Sequence, residues 1–223
     1  MELLKVQVAK AIWLFDTQDL NPRGAALFPF IFGLLGQRYQ FLIPKQEDLS
    51  GFPSSRTSLF FKQGKFVFES FTVDVDMEIH SDGLVATSRH STEACDAFLE
   101  DFKDWLASQL GVVYQPRIGK KRAYKSDLMV AGDPRIEALS STLQGFAKTL
   151  SGLSGQAVYP SGIIFGADRT PGVFTIERRV NTSSDENEYF SISSLPTSKH
   201  LEALNELERV ARALPIAPNG GEE

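Results

Sequence analysis

Residues 71–79 read Phe71-Thr72-Val73-Asp74-Val75-Asp76-Met77-Glu78-Ile79. Apolar and polar residues alternate without a break, the period of a strand whose two faces meet different surroundings. Ser81-Asp82-Gly83 then supplies turn residues, and Leu84-Val85-Ala86-Thr87 resumes as the next strand. Upstream, Leu59-Phe60-Phe61-Lys62 and Phe66-Val67-Phe68 flank Gln63-Gly64, which reads as a hairpin. Downstream the period lengthens. Phe98, Leu99, Phe102, Leu106 and Leu110 recur at three- and four-residue spacing and predict a helix over 92–110. Ser91 or Thr92 suits its free amides, Glu93 and Asp96 suit its positive end, and Gly111 ends it.

The second half of the chain repeats this progression. Strand-like stretches run from Gly162 to Ala167, Gly172 to Val180 and Tyr189 to Ile192, and an amphipathic helix follows over 197–214, stopped by Pro215. Pro22-Arg23-Gly24-Ala25-Ala26-Leu27 matches Pro134-Arg135-Ile136-Glu137-Ala138-Leu139 at four of six positions. Asn21 and Asp133 precede those prolines as N-caps, with proline in the first helical position. Strands at 11–15 and 128–131 come before each. The expected fold class is therefore α+β, a tandem pseudo-repeat of strand, helix, antiparallel strands and helix, with the helices on one face of the antiparallel sheets. The expected organisation is a first repeat over 1–114, a basic connection over 115–121, a second repeat over 122–214 and a flexible tail over 215–223.

Strand–helix–four strands–helix, present twice, resembles the duplicated saddle of the TATA-binding-protein-like fold. The resemblance is one of topology, covers nearly the whole chain, and carries no functional residue across.

Composition limits the functional classes. The chain has 223 residues, a formal charge of −5, 42% hydrophobic residues and one cysteine. Disorder throughout, a disulfide framework and a generally basic nucleic-acid binder are thereby disfavoured. The longest uncharged apolar run, Ala25 to Gly36, is twelve residues against roughly 20 needed to span a bilayer. No secretory signal is read at the start, so a cytoplasmic protein without membrane contact is expected.

Four groups of residues invite a functional reading. Asp74, Asp76, Glu78 and His80 share one strand face; carboxylates and imidazole serve acid–base or metal chemistry, but a strand spreads them along a line. They are the only nameable catalytic candidates, and no catalytic set, metal or cofactor is assigned. Arg117, Lys120, Lys121, Arg122 and Lys125 form a dense basic run suited to an anion or nucleic acid, with Tyr124 available for stacking. Leu27, Phe28, Phe30, Ile31, Phe32, Leu34 and Leu35 make a helix apolar nearly all round, which must be buried on every side or meet a partner. Cys95 lies in the first turn of helix 92–110 near His90, where the dipole favours a thiolate, yet it shares the apolar face of Phe98 and Phe102 and reads better as core. His200 is expected to be partly exposed. Residues 134–150 place Ile136, Leu139, Leu143, Phe146 and Leu150 on one side of a helix. Arg23, Arg135, Glu69 and Glu177 recur at matched positions, as residues tying helix to sheet would.

The leading functional expectation is a non-catalytic binding or assembly module acting through protein–protein contacts, with a second protein or another copy of itself as partner. The alternatives are a nucleic-acid-binding protein using the sheet face and run 117–125, and a metal-assisted enzyme on strand 72–80.

Overall fold

The alternating stretch forms a strand over 71–80, and the turn that feeds it lies at Glu69-Ser70 rather than at Gln63-Gly64. Residues 59–68 are one strand with a bulge between Phe61 and Gly64. Two contacts make the bulge. Gln63, at φ 58°, donates its N–H to Asp76 Oδ1 at 2.7 Å. Gly64 lies so close to Phe41 that a Cβ there would sit 2.3 Å from the ring. The glycine that resembles hairpin chemistry is thus needed for close packing.

In this computed structural model the described residues are 1–16, 28–42, 58–110, 118–133, 136, 139, 141–168, 170–179 and 187–213. They form an α+β chain in the order β1 (Glu2–Leu14), α1 (Phe28–Tyr39), β2 (Leu59–Phe68), β3 (Phe71–His80), β4 (Gly83–Ser88), α2 (Thr92–Leu110), β5 (Lys121–Ala131), α3 (Ser141–Ser154), β6 (Gly162–Ala167), β7 (Thr170–Arg178), β8 (Glu188–Ser193), α4 (Thr197–Arg212). Each half therefore reads strand, helix, three strands, helix, not the four strands expected; in the first half this is because 59–68 is a single bulged strand and not a hairpin. The chain divides into an amino-terminal unit, Val6–Asp127 with Ser194–Thr197, and a carboxy-terminal unit, Met1–Lys5, Leu128–Ser193 and Ser198–Glu223.

In the amino-terminal unit the strand order is β2-β3-β4-β1, with antiparallel pairings throughout. Val73, Val75, Met77 and Ile79 of β3 are buried, as the alternation demands, together with Ala11 and Trp13 of β1, Leu59 and Phe61 of β2, and Leu84 and Ala86 of β4. Helix α2 lies against β4 and β2 and buries Cys95, Phe98, Leu99, Phe102 and Leu106 in the same core. Phe98 is its centre. Its ring meets those of Tyr39, Phe41, Phe66 and Phe102 at centroid distances of 5.1, 6.0, 5.6 and 6.5 Å. Ser91 caps α2, its Oγ accepting the Ala94 N–H at 3.1 Å. Thr92 and Thr197, the first residues of α2 and α4, are bonded reciprocally. Each hydroxyl oxygen accepts the other's backbone N–H, at 3.0 and 2.7 Å.

In the carboxy-terminal unit the order is β5-β8-β7-β6, and the β6/β7 and β7/β8 pairs are antiparallel. Leu128, Val130, Ile136, Ala147, Ile176, Tyr189, Leu204 and Ala211 are buried. Two expectations change here. The helix expected over 134–150 runs over 141–154, after a short turn in which Ile136 donates its N–H to the Asp133 carbonyl at 3.1 Å. Ala147 takes the inward position on α3, which leaves Leu143 and Phe146 outside at 55% and 61% exposure. His200 is fully buried, not partly exposed, because Ser191 and the Phe174 ring receive it. The expected caps Asn21 and Pro22, residue Arg23, Pro134, Arg135 and the tail over 215–223 lie outside the described residues.

Candidate functional site

The open face of the amino-terminal sheet carries the acidic strand. Register sets Asp74 opposite Lys65, Asp76 opposite Thr87 and Glu78 opposite Val85. Each acid meets a neighbour. Lys65 forms an ion pair with Asp74, Asp76 receives the Gln63 N–H, and Glu78 lies 3.1 Å from His80 Nε2 and 4.0 Å from Lys10 Nζ. A groove of about 970 Å³ runs over this face, lined by Gln7, Gln40, Lys65, Thr72, Asp76 and Arg89 among others. The four residues proposed from sequence do share a face. They remain strung along it, and among the described residues no three His, Cys, Asp or Glu side chains are grouped to hold a metal ion.

Cys95 and His90 are not joined. Cys95 is buried, and its thiol donates to the Ala9 carbonyl at 3.5 Å. His90 is exposed, with its ring 5.6 Å from that of Phe68 and Nδ1 3.3 Å from Ser91 Oγ. Burial pushes the thiol up to about 12, and the nearby Asp96 and Glu93 charges push the same way. The helix-dipole contribution is overridden because the sulfur points into the core. Cys95 is expected not to react with a disulfide reagent at pH 8 in the native protein and to react within seconds in denaturant. A stoichiometric thiol titration checks this; rapid native labelling would contradict the burial.

The basic run divides. Arg117 lies outside the described residues, and Lys120 and Lys121 are exposed. Lys125 pairs with Asp127 at 2.9 Å. Arg122 faces its own unit. Its Nε donates to the Gly119 carbonyl at 2.6 Å, and its guanidinium lies 2.6 Å from Glu100 and 3.4 Å from Asp96. It also stacks over the buried Trp13 ring, 4.6 Å from the centroid. Asp96 collects two further donors, Trp13 Nε1 at 2.8 Å and the Tyr124 hydroxyl at 2.7 Å. Gly119, at φ 77°, brings the backbone onto the Trp13 ring, where a Cβ would lie 3.1 Å away. Tyr124 is thus tied to a carboxylate rather than offered for stacking. No local pattern joins Trp13, Asp96 and Arg122, so sequence reading missed this network.

Of the apolar helix, Leu35 is fully buried in its own unit's core and Leu34 packs partly against it. Leu27 and the side chains of Phe28, Phe30, Ile31 and Phe32 lie outside the described residues.

Exposed apolar surface is instead prominent in the carboxy-terminal unit. Leu143, Phe146 and Leu153 lie along one side of α3, and Ile164 and Phe165 are exposed on β6. Between α3, β6 and α4 is a hollow of about 580 Å³, lined by Leu143, Ile163, Phe165, Leu207 and Val210, with no polar side chain in its lining. The same unit holds a Ser–His pair, Ser191 Oγ 2.8 Å from His200 Nε2. Both residues are fully buried, and the serine hydroxyl also donates to the Thr175 carbonyl at 2.7 Å. With its proton committed and no access for substrate, this serine is a structural residue.

Among the described residues no helix is long and apolar enough to cross a membrane. Comparison with protein-family models and with curated proteins finds no match.

Proposed function

We propose that the protein is a non-catalytic binding or assembly module that works through protein–protein contacts at the apolar surface of its carboxy-terminal unit. The carrying observation is the hollow beneath α3, with Leu143, Phe146 and Phe165 exposed around it. Contiguous exposed apolar surface on a soluble chain marks an interaction site. A hollow with no polar side chain in its lining lacks the side-chain donors and acceptors that orient a small ligand, and suits apolar anchors from another protein. We read the recurring element order as a duplicated α+β unit, with three strands rather than four between the helices of each half. The reciprocal bonds of Thr92 and Thr197, 105 positions apart, support that reading. The nucleic-acid reading is weaker because Arg122 and Lys125 are engaged by the chain's own carboxylates. The metal-enzyme reading is weaker because each strand acid has its own neighbour.

The test is a double substitution, Leu143→Glu with Phe146→Glu. Both side chains are exposed, so stability should move by no more than about 0.5 kcal/mol per site. Binding to a purified partner, whether another protein or this chain itself, should weaken at least tenfold. Unchanged binding in the variant, or a wild-type protein that binds nothing, defeats the reading.

A further inference from the structure

β6 ends the strand order of its unit, bonded to β7 on one side, and no strand among the described residues pairs with its other side. The ladder shows which backbone groups are left over. Ser161 accepts the Arg178 N–H at 2.7 Å, and the register continues through Ile163↔Ile176 and Phe165↔Phe174. Alternate residues of an antiparallel strand face the partner. The N–H and C=O of Gly162 and Ile164 therefore point away from β7. Edge strands are ordinarily blunted by charge, proline, bulges or a cover. β2, the edge of the other unit, has such protection: Lys62 and Lys65, the bulge at Gln63, and Leu42 bridged to Lys62. β6 reads Gly-Ile-Ile-Phe-Gly-Ala, with no ionisable side chain and with Ile164 66% exposed. Its one irregularity falls at its end, between Phe165 and Ala167.

We propose that β6 pairs antiparallel with β6 of a second copy of this chain, about a two-fold axis near Ile164, with α3 of each copy flanking the seam. This rests on the reading that the apolar surface of the carboxy-terminal unit binds protein, and it names the partner. Charge favours a second copy. Two-fold pairing sets equivalent residues against each other, so any charge near the axis would meet its like. β6 carries none, and α3 carries one ionisable residue, Lys148. For a chain of net charge −5, a neutral strand is where two copies meet without repulsion. Area agrees. Leu143, Phe146, Ile164, Phe165 and Val210 are 42–66% exposed, so each leaves on the order of 100 Å² open. Covering all of it together with the strand backbone gives an upper bound of roughly 600 Å² per copy, which just reaches a specific interface of about 1,200 Å² in total.

Light scattering on the purified full chain at tens of micromolar should give twice the 24.7 kDa chain mass. Ile164→Pro removes an outward N–H while sparing the bonds to β7. Ile164→Lys places two like charges at the axis. Each variant should restore the single-chain mass with an unchanged far-UV spectrum; if proline perturbs the strand, the lysine variant decides. A monomeric wild type, or a dimer that survives the lysine variant, overturns the proposal. The broader reading is separable. A monomeric wild type that binds a different purified protein, with that binding lost in Leu143→Glu/Phe146→Glu, removes the self-pairing and keeps the apolar docking surface. A monomer with no such binding removes both.

Discussion

Phe98→Ala is expected to lower the unfolding free energy by about 3–5 kcal/mol, the usual range for removing a buried aromatic side chain. The site stands toward the upper end for a stated reason. Phe98 is fully buried and is ringed by Tyr39, Phe41, Phe66 and Phe102, three of them edge-on and Phe102 near-parallel. Such ring pairs contribute beyond their buried area. Collapse into the void is restricted because the surrounding rings are held elsewhere. Tyr39 donates its hydroxyl to Asp101 at 2.6 Å, and Phe41 is wedged against Gly64 and the Phe61 ring. Urea denaturation measures the loss as a drop in midpoint at constant slope. A loss below about 1 kcal/mol would mean that these rings do not pack as a unit. Phe146→Ser, on the exposed side of α3, is the internal comparison and should stay within about 0.5 kcal/mol.

The contrast between Phe98 and Phe146 shows what a sequence discloses about this protein. Periodicity places both on helical apolar stripes. For α2 the stripe is the core face, because β2 and β4 lie against it and the sheet supplies an equally apolar face to receive it. For α3 a stripe of the same kind lies open, and only the observation that Ala147 fills the inner position distinguishes the two. Periodicity reports that a face is apolar, not what covers it. The turn at Glu69-Ser70 was hidden for a related reason. Gln63-Gly64 has turn chemistry, but its glycine answers to Phe41 and its N–H to Asp76, contacts set by distant parts of the chain. His200 gave no local sign of burial, since its neighbours Ser191 and Phe174 are set by strand register. The acidic strand face was legible because one strand contains it. The carboxy-terminal apolar surface joins α3, β6 and α4, and no single segment displays it.

The basic run gives the second large effect and separates two uses of its cations. Asp96→Ala is expected to cost about 2–4 kcal/mol. The substitution leaves the Trp13 indole N–H, on a fully buried side chain, without its acceptor, at about 1–3 kcal/mol for an unsatisfied buried donor. The Tyr124 hydroxyl loses the same carboxylate, and so does Arg122, although its one-third exposure lets water offset that part. Asp96→Asn retains one carbonyl acceptor and should cost clearly less. Lys120→Ala and Lys121→Ala remove exposed side chains and should stay within about 0.5 kcal/mol. Acid should act in the same region. Burial favours the neutral form of Glu100, but hydrogen bonds from Lys103 and Arg122 outweigh it and hold the carboxyl below its ordinary value. A carboxylate depressed in this way stabilises the fold above its unfolded pKa, and that contribution disappears as pH falls through the lower folded value. Arg122→Ala should therefore flatten the acid limb of the stability curve, whereas Lys121→Ala should leave its shape unchanged. Equal costs for Arg122→Ala and Lys121→Ala in urea melts, with parallel acid limbs, would place Arg122 back among the solvated cations of the run. A difference of about 1.5 kcal/mol or more, the low end of what one hydrogen bond to a charged group contributes, assigns it to the network with Trp13, Asp96 and Glu100.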